Sequence, residues 1–583
     1  MHLIAGDHTH RPPIAMFTNA RVEHAMKNAA ITPGAAPSPI TRLSQPLRSL
    51  PDGRAALLIA GVAVAAALAA RLAWPFDGLY GQDAFAYFRY ARALWPWLVR
   101  GDPLPIYYWP DGYPLLVALA LPLFGGSSAA GQAVSIASIA VAAGCTFLLC
   151  RELLPDAPGG RLAAWVAGLA VALCGDALRA GLVTMSDALA LACCALAMLA
   201  LARYIRTRRG RWLALAALAL GWGIITRWVC GLLAVPMLVF VIVDCRLQIA
   251  DWRTQIAKSK IDVAVAMFLG ALIVVPQVLF SQRTPEALSQ HQWVVAWNVA
   301  NIWRRDFVTV DGAQHYRLPV GAYYLAHMAW PSFVFPLLVV FCLPGALWLM
   351  RRRRWPVLAL LVGWSALLWL FLAGIPFENA RFILPALPAL AVLAGLGFGW
   401  AYDWTNDRRT TNDERRTMND ERPTTDTSGG QSPARVRPCL SASNLRSIRP
   451  LLVLILAVSL AGSLAWGLRD YRSLVLYKNE QLALVDWVQS HVPAGSTLIT
   501  FGATLTLQHY TDADVRELFY LAPPDLDQIA RQPQPAYLLL DVGNTESQWV
   551  GLRPQQDYRY LQAHPGLETV GQHAPYTLFR LSR

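Results

Sequence analysis

The chain has 583 residues, of which 55% are hydrophobic and only 15% are charged, and its mean hydropathy is +0.36. Soluble globular proteins carry about 25% charged residues, so this composition excludes an ordinary soluble enzyme and excludes disorder for most of the chain. The net charge of +13 is interpreted as a topology signal of a membrane protein and not as nucleic-acid binding.

The N-terminal segment, residues 1–50, is polar and rich in Pro, Thr and Arg. It has no apolar stretch of the kind found in secretory signals, so it is predicted to be a tail and not a cleaved leader. Arg42, Arg48 and Arg54 precede the first apolar run at 55–72. Basic residues before a first span favour a cytoplasmic N-terminus.

Long apolar runs predict about eleven transmembrane helices and therefore a polytopic α-helical membrane protein. The runs lie at roughly 55–72, 127–150, 162–178, 187–203, 212–226, 229–243, 263–281, 327–350, 356–374, 382–402 and 451–467. Three basic loops, at 203–211, 245–260 and 351–354, fall on the cytoplasmic side under this count, which supports the topology. One alternative stays open at 212–243, where a single kinked helix in place of two short ones would invert everything after it.

The C-terminal part of the chain changes character twice. Residues 403–449 are polar and contain the near-repeat TTNDERRTMNDERPTT, which predicts a disordered cytoplasmic linker. The last transmembrane helix is predicted over 450–467. Residues 468–583 then alternate between helical segments such as NEQLALVDWVQSHV and strand-like runs such as STLITFG and AYLLLDV. This pattern predicts a small α/β domain, and span parity makes it extracytoplasmic.

The first outer loop, 73–126, is long and aromatic. Its segment GQDAFAYFRYARAL predicts a helix that lies in the headgroup region, with Asp83 at its N-terminal end, where the helix dipole favours a carboxylate. Asp83 is therefore a candidate for chemistry. The alternative is structural, with Asp83 as a helix cap and the aromatic residues as a membrane belt.

Three further charged residues lie at the predicted outer ends of spans. Asp187 follows Ser186 at the start of an apolar helix. An acid there is a functional candidate by default, and a simple helix cap is the alternative. Arg227 falls between two apolar stretches, and Arg381 begins a later span beside Glu378. Each arginine can bind a substrate phosphate, or it can anchor its helix to lipid headgroups.

Other polar residues are predicted to have no role in chemistry. Asp176 and Arg179 are expected to be solvated. The nine cysteines show neither zinc-ligand spacing nor a disulfide framework. The histidines around the outer loop 282–326 fit no metal motif and are interpreted as loop residues: His291, His315 and His327.

Four features occur in a fixed order along the chain. They are the acid of the first outer loop, the segment YYWPDGYPLL, the Ser186–Asp187 pair and the segment RFILPALPAL. In this order they resemble the GT-C glycosyltransferases, in particular the protein O-mannosyltransferase and aminoarabinose-transferase group. The resemblance covers about 55–400, implies a GT-C-like catalytic module over 51–402, and includes the terminal domain in general layout.

The resemblance implies a plasma-membrane enzyme that transfers a sugar from a polyprenyl-phosphate donor to a glycan, lipid or protein acceptor on the outer face. In that family an acid of the first outer loop is the catalytic base, which here is Asp83. Asp187 would organise the donor or a metal, and a divalent cation, if one takes part, would be held by these two acids. Arg227 and Arg381 match positions where the family places cations near the lipid phosphate.

Three more residues are candidates for substrate binding: Arg89, Asp111 and Tyr113. Asp111 stands where relatives commonly have a proline, so it is either an additional acid of the site or a solvated turn residue. The Asp-Glu doublet of the protein mannosyltransferases is absent, since Ala84 follows Asp83. That departure argues against a protein acceptor.

The residue types support the same chemistry. A sugar phosphoester has a good leaving group, so transfer needs a base for the acceptor hydroxyl and positive charge for the departing phosphate. The rival class is a multi-spanning transporter or flippase for a lipid-linked or anionic substrate. It would share the spans, but it predicts internal repeats that the sequence does not show. An assembly protein with an outer α/β binding module is a third alternative.

Overall fold

The structure, a computed structural model, describes residues 50–582 apart from 108, 156, 158, 248–251, 283–291, 310, 421–441 and 565. The tail predicted over 1–50 therefore lies outside the described residues except for Leu50. His291, one of the histidines near the outer loop, lies outside them as well.

Apolar helices make up the N-terminal and central parts of the described chain. The first ten helices are α1 (Asp52–Ala73), α2 (Gly81–Arg100), α3 (Gly112–Ala120), α4 (Ala129–Leu153), α5 (Gly160–Ala172), α6 (Gly175–Leu182), α7 (Asp187–Thr207), α8 (Gly210–Thr226), α9 (Ala234–Leu247) and α10 (Trp252–Gln282). They are followed by α11 (Gln292–Val295), the hairpin β1 (Asp306–Thr309) and β2 (Gly312–His315), α12 (Val320–Met328), α13 (Pro336–Val339), α14 (Cys342–Arg351), α15 (Trp355–Ala373), α16 (Leu387–Asp420) and α17 (Ala442–His491).

The eleven predicted apolar runs fall on helices, but not every helix is long enough to cross a bilayer. Within the described residues, seven helices have the length and hydropathy of a span. The pair α5 and α6, bent by 46°, makes an eighth if it counts as one span. The other three runs, at 212–226, 229–243 and 327–350, form shorter apolar helices. A polytopic helical membrane protein is confirmed, and the figure of eleven crossings stays a prediction.

The segment 212–243 is two helical pieces and not one kinked helix. The backbone at Arg227 is extended, with φ −152° and ψ 121°, so α8 ends at Thr226. A short 3-10 helix, Trp228–Leu233, leads into α9. The two pieces also pack on different partners, α8 between α7 and α10 and α9 against α15. This break places the Arg227 side chain at a helix junction.

Helices α6 and α17 approach each other so closely that only glycine fits between them. A Cβ atom on Gly467 would lie 2.2 Å from Cα of Gly175, and one on Gly175 would lie 2.6 Å from Cα of Gly467. Small residues at such crossings let membrane helices pack by close backbone contact. The contact fixes the N-terminal end of α6.

Gly467→Val is therefore expected to destabilise the protein by about 1–3 kcal/mol or more, because its side chain meets main-chain atoms that cannot rotate away. The measurement is the thermal unfolding temperature of the purified protein in detergent. Gly61→Val is the matched control, since Gly61 lies in α1 with open space around its Cβ position. Equal unfolding temperatures for the two variants would show that α6 and α17 are not locked together.

The last apolar helix is much longer than a single crossing. Helix α17 has 50 residues, or about 75 Å at 1.5 Å per residue, against a hydrocarbon thickness of about 30 Å. The domain boundary predicted at 468 falls inside it, because residues 468–491 contain neither Gly nor Pro to end a helix. Helix α17 therefore continues without interruption from the apolar helices into the C-terminal domain.

The linker predicted over 403–449 is narrower in the structure. Helical backbone continues in α16 to Asp420 and resumes in α17 at Ala442. Residues 421–441, which include part of the near-repeat, lie outside the described residues. A disordered linker therefore remains a prediction for that central part alone.

The C-terminal α/β domain is present as predicted. Its strands are β3 (Thr497–Thr500), β4 (Asp514–Glu517), β5 (Ala536–Leu540), β6 (Leu567–His573) and β7 (Tyr576–Leu581), in the order β4-β3-β5-β7-β6. The first three in this order are parallel, and β7 is antiparallel to both of its neighbours. Its helices after α17 are α18 (Thr504–Tyr510), α19 (Pro523–Arg531), α20 (Val542–Thr545) and α21 (Arg553–Ala563).

Both faces of this sheet are covered, which makes the domain three-layered. Leu498 points into a core shared with α17 and α18, whereas its neighbour Ile499 points into a core shared with α19 and α21. Successive strand residues point to opposite faces, so this alternation follows from the strand geometry. Because α17 supplies one layer, the domain is built directly onto the end of the membrane helix.

Candidate functional site

Asp83 lies in the first turn of α2, where its carboxylate is paired with an arginine. The N-cap residue of this helix is Tyr80, and no side chain caps the helix end. Instead, Nη2 of Arg381 donates a hydrogen bond to Oδ2 of Asp83. Both side chains keep some exposure, 31% for Asp83 and 25% for Arg381. The structure thus does not use Asp83 as a helix cap.

Asp187 forms a second carboxylate–guanidinium pair, and this one is more deeply buried. It is the first residue of α7, with a side chain only 3% exposed, and its Oδ1 accepts a hydrogen bond from Nη1 of Arg227. Ser186 occupies the N-cap position without a side-chain cap bond, and its Oγ lies 3.0 Å from the Tyr87 hydroxyl. The simple-cap alternative for the Ser-Asp pair therefore does not hold.

The two ion pairs lie side by side. The guanidinium carbon of Arg227 is 4.8 Å from the ring centre of Phe382, and that of Arg381 is 5.5 Å from the same ring. Arg381 also interacts electrostatically with Asp187, and its Nη1 donates to Sδ of Met185 at 2.9 Å. Four residues predicted separately from the sequence thus form one charged cluster: Asp83, Asp187, Arg227 and Arg381.

The charged cluster joins four different parts of the chain. Asp83 comes from the start of α2, Asp187 from the start of α7, and Arg227 from the break after α8. Arg381 lies in a 3-10 helix, Ala380–Ala386, that precedes α16. Two carboxylates and two guanidiniums balance in charge, which makes their partial burial tolerable. The arrangement offers a proton acceptor beside two cations that can bind an anion.

This donor set does not suit a divalent cation. Asp83 and Asp187 are each paired with a guanidinium, whose positive charge opposes a bound metal ion. Among the described residues, no three His, Cys, Asp or Glu side chains converge as a metal site would require. A metal role for Asp83 and Asp187 therefore finds no support in their surroundings.

Asp111 is half-buried beside the aromatic residues of the first outer loop and is not a solvated turn residue. Its backbone N–H donates to Oε1 of Gln277 at 3.0 Å, while its Oδ1 has no hydrogen-bond partner among the described residues. Burial raises the pKa of the carboxyl to about 7, although the adjacent Tyr90 hydroxyl partly offsets this. The ring of Tyr90 stacks on Tyr107 with ring centres 3.8 Å apart.

The structure does not bring Arg89 and Tyr113 into the charged cluster. The Tyr113 hydroxyl is buried, donates to the carbonyl of Gly131 at 3.0 Å and lies 2.9 Å from Oγ of Ser135. The Tyr113 ring packs against the ring of Tyr87, and the two ring centres are 5.4 Å apart. Arg89 Nη1 donates to Oε1 of Gln508 in α18 at 2.5 Å. Their substrate-binding roles remain predictions.

The structure also contains a buried acid–histidine pair, formed by Asp176 and His327. The sequence predicted a solvated position for Asp176 and a loop position for His327. Asp176 is only 5% exposed, and its Oδ2 lies 2.7 Å from Nε2 of His327. Arg179 adds a longer contact of 3.4 Å to the other carboxylate oxygen. The expectation of a solvated Asp176 is therefore wrong. The sequence feature that could have indicated a buried Asp176 was its position as an acid in the first turn of a helix inside an apolar run.

Two more acids lie near the charged cluster. Glu378 precedes the 3-10 helix that carries Arg381, and its Oε1 has no hydrogen-bond partner within the described part of the chain. Burial raises the pKa of Glu378 to about 7. Asp311, at the tip of the β1–β2 hairpin, also has a raised pKa, first through burial and second through the nearby charge of Asp83.

Comparison with known proteins supports the predicted resemblance. A family model described as dolichyl-phosphate-mannose-protein mannosyltransferase matches residues 110–280. The structure of ArnT from Cupriavidus metallidurans bound to undecaprenyl phosphate is similar over 90% of this chain and 97% of that chain, with a TM-score of 0.56 and 16% identity. No curated protein sequence matches the chain.

A second solved structure with the same fold is the archaeal oligosaccharyltransferase AglB from Archaeoglobus fulgidus, in complex with an inhibitory peptide and a dolichol-phosphate. It is similar over 90% of this chain and 74% of that chain, with a TM-score of 0.51 and 11% identity. At such identities the likeness concerns the fold. Together with the family match, it confirms the resemblance to GT-C membrane proteins that the order of motifs predicts.

Proposed function

We propose that this protein is a GT-C-type membrane glycosyltransferase that transfers a sugar from a polyprenyl-phosphate donor to an acceptor hydroxyl on the outer face of the membrane. The observation that carries the proposal is the charged cluster, which puts a partly exposed carboxylate beside two guanidiniums. The family match and the ArnT-like fold support the same donor class, since that ArnT structure holds undecaprenyl phosphate.

Asp83 is the proposed base. It is the more exposed of the two carboxylates in the charged cluster, so an acceptor can reach it. In the reaction, the acceptor oxygen gives its proton to Asp83 and bonds to the anomeric carbon of the sugar. The bond from that carbon to the phosphate oxygen breaks, and polyprenyl phosphate leaves. A single displacement of this kind inverts the anomeric configuration.

The two arginines are the proposed phosphate-binding groups. Guanidinium binds phosphate through charge-assisted hydrogen bonds, which strengthen as the leaving phosphate gains charge. Since Arg381 also binds Asp83, a donor phosphate at Arg381 competes with that carboxylate for the guanidinium. Donor binding would thereby loosen the Asp83–Arg381 pair and leave Asp83 freer to accept a proton.

Asp187 has a different proposed role. It is almost fully buried and paired with Arg227, so it orients that arginine toward the phosphate. Removing one partner of a buried pair leaves the other charge uncompensated. Asp187 therefore acts as a positioning residue for the donor, and Asp187→Asn is expected to reduce transfer less than loss of the base does.

The direct test is sugar transfer by the purified protein in lipid nanodiscs. A panel of radiolabelled polyprenyl-phosphate sugars is incubated with membrane extract, and label in the acceptor and release of polyprenyl phosphate are both measured. Transfer of the sugar from at least one donor supports the proposal, provided that a donor analogue without the sugar–phosphate bond gives no transfer. Uptake or translocation of the intact donor without cleavage would identify a transporter or flippase.

The outer location of the site leads to a separate prediction about topology. An alkaline phosphatase fused to the C-terminus is expected to be active, and one fused after Arg354 is expected to be silent, because basic loops stay cytoplasmic. Enzymatic activity in intact cells is the measurement. The opposite pattern for the two fusions would put Asp83 in the cytoplasm and contradict the proposed site of transfer.

A further inference from the structure

Helix α2 lies between the apolar helices and the C-terminal domain and is covered on both sides. Tyr87 and Tyr90 are buried toward α3 and the loop before it. On the other side, the Phe85 ring centre lies 5.4 Å from that of His509 and 5.8 Å from that of Tyr510, both in α18. The helix predicted to rest in the headgroup region is thus also part of a domain contact.

The residue beside Asp83 is held by both ends of its amide. Gln82 Oε1 accepts a hydrogen bond from the backbone N–H of Leu505 at 2.8 Å. Gln82 Nε2 donates to Oγ1 of Thr506, a buried residue of α18, at 3.2 Å. An amide that uses both its donor and its acceptor has its orientation determined by the partner. The C-terminal domain thereby fixes the first turn of α2 at the position next to the proposed base.

A second group of contacts holds the segment that leads into α2. Tyr510 donates its hydroxyl hydrogen to Oδ2 of Asp77, and Nζ of Lys478 donates to the Tyr510 hydroxyl at 2.9 Å. Lys478 is nearly buried and lies 3.6 Å from the same carboxylate oxygen. Asp77 in turn accepts the backbone N–H of Leu79 at 2.9 Å. The segment 77–83 is therefore attached to the C-terminal domain at both of its ends.

The domain also contacts the β1–β2 hairpin, whose Asp311 interacts electrostatically with Asp83. Nε2 of Gln548 donates to the carbonyl of Asp311 at 2.6 Å, and the backbone N–H of Ala313 donates to the carbonyl of Gln548 at 2.8 Å. Gly312 lies between them with φ +90°, and a Cβ atom there would be 2.8 Å from the Gln548 side chain. Asp311 is close enough to Asp83 for their charges to interact.

We infer that the C-terminal domain is a positioning element for the transfer reaction, with Gln82 as the positioning residue that orients Asp83. The domain is hydrogen-bonded both to the segment that carries the base and to the hairpin that carries Asp311. The inference rests on the proposed function, because it assigns Asp83 the role of base. It gives the domain a function within the catalytic step itself, separate from acceptor recognition.

Gln82→Met is the test variant, because methionine keeps the length of the side chain and its packing but loses both hydrogen bonds. Gln508→Ala is the matched control. It removes the hydrogen bond between Gln508 and Arg89, six positions after Asp83 in α2, and also the hydrogen bond from Nε2 of Gln508 to the carbonyl of Val515 within the domain. The two variants disturb the same domain contact at different distances from the base.

The first measurement is steady-state transfer in nanodiscs. Misplacing a catalytic group by about 1 Å can cost about 100-fold in rate, so Gln82→Met is expected to lower kcat by about 10- to 100-fold. Its KM for the donor is expected to change by less than about threefold, because the arginines are untouched. Gln508→Ala is expected to keep its kcat within about threefold of wild type. A wild-type kcat for Gln82→Met would overturn the inference.

The second measurement needs no activity. Hydrogen–deuterium exchange of the amides in 79–84 is expected to speed up about tenfold or more in Gln82→Met and to be unchanged in Gln508→Ala, since local opening governs exchange. Equal exchange in the two variants would overturn the inference. If the wild-type protein transfers no sugar, the proposed function fails, and this comparison alone decides whether the domain orders the segment.

Discussion

Asp83→Asn is expected to lower the turnover number for sugar transfer by about 100-fold or more, while the protein still inserts and binds its donor. Asparagine keeps the shape of the side chain and can still accept a hydrogen bond from Arg381, which holds Asp83 in the structure. It cannot take up a proton at neutral pH. Release of polyprenyl phosphate in nanodiscs gives the turnover number, and donor affinity is measured separately.

Asp102→Asn is the matched control for this variant. Asp102 follows α2 at its far end and is exposed, in a surface pair with Arg100 at 2.8 Å. Ion pairs on the protein surface contribute little to stability, so Asp102→Asn is expected to keep a near-normal turnover number. If Asp83→Asn also retained normal turnover, the base would be another group, and the half-buried Asp111 would be the next candidate because burial raises its pKa to about 7.

Arg381→Gln is expected to weaken donor binding by about tenfold to 100-fold, because glutamine cannot form the ion pair that the partly buried guanidinium forms with the donor phosphate. Arg381→Lys is expected to retain more affinity, since the positive charge remains although the bidentate geometry does not. Binding of polyprenyl phosphate to each purified variant is the measurement. Arg381→Gln also removes the ion-pair partner of Asp83, so the kcat of both variants is measured in parallel.

Arg352→Gln is the control for the loss of an arginine that lies near an aromatic ring. The guanidinium carbon of Arg352 is 6.0 Å from the Trp348 ring centre, in the basic loop after α14. Its replacement is expected to leave donor affinity unchanged. Equal affinities for the Lys and Gln variants of Arg381 would point to packing or headgroup anchoring in place of phosphate binding.

The membrane character of the protein was predictable because hydropathy is a local property. Each apolar run is read from its own residues, and each one falls on helix in the structure. Helix breaks were less predictable. The extended backbone at Arg227 and the 46° bend between α5 and α6 depend on what the neighbouring helices leave room for. These breaks are why eleven runs do not translate directly into eleven full spans.

The candidate residues were also predictable one by one, because an ionisable group at the end of an apolar helix is rare enough to stand out. Asp187, Arg227 and Arg381 were singled out for that reason, and Asp83 because it begins the aromatic helix of the first outer loop. Asp176 and His327 did not, although they form the buried pair. Asp176 lies between Gly175 and Arg179 at the end of an apolar run, where an acid beside an arginine was interpreted as solvated, and its histidine partner is 151 positions away.

The sequence by itself determined the helical membrane module, the small α/β domain after it and the four charged candidates, because hydropathy, strand alternation and charge placement are properties of short segments. Only the tertiary structure decided how the candidates pair. Asp83 meets Arg381 across 298 positions, and Gln82 meets Leu505 across 423. Such contacts depend on which helix ends the packing brings together, and no local pattern encodes them. The charged cluster and the contacts between α2 and the C-terminal domain therefore emerge only when the helices are assembled.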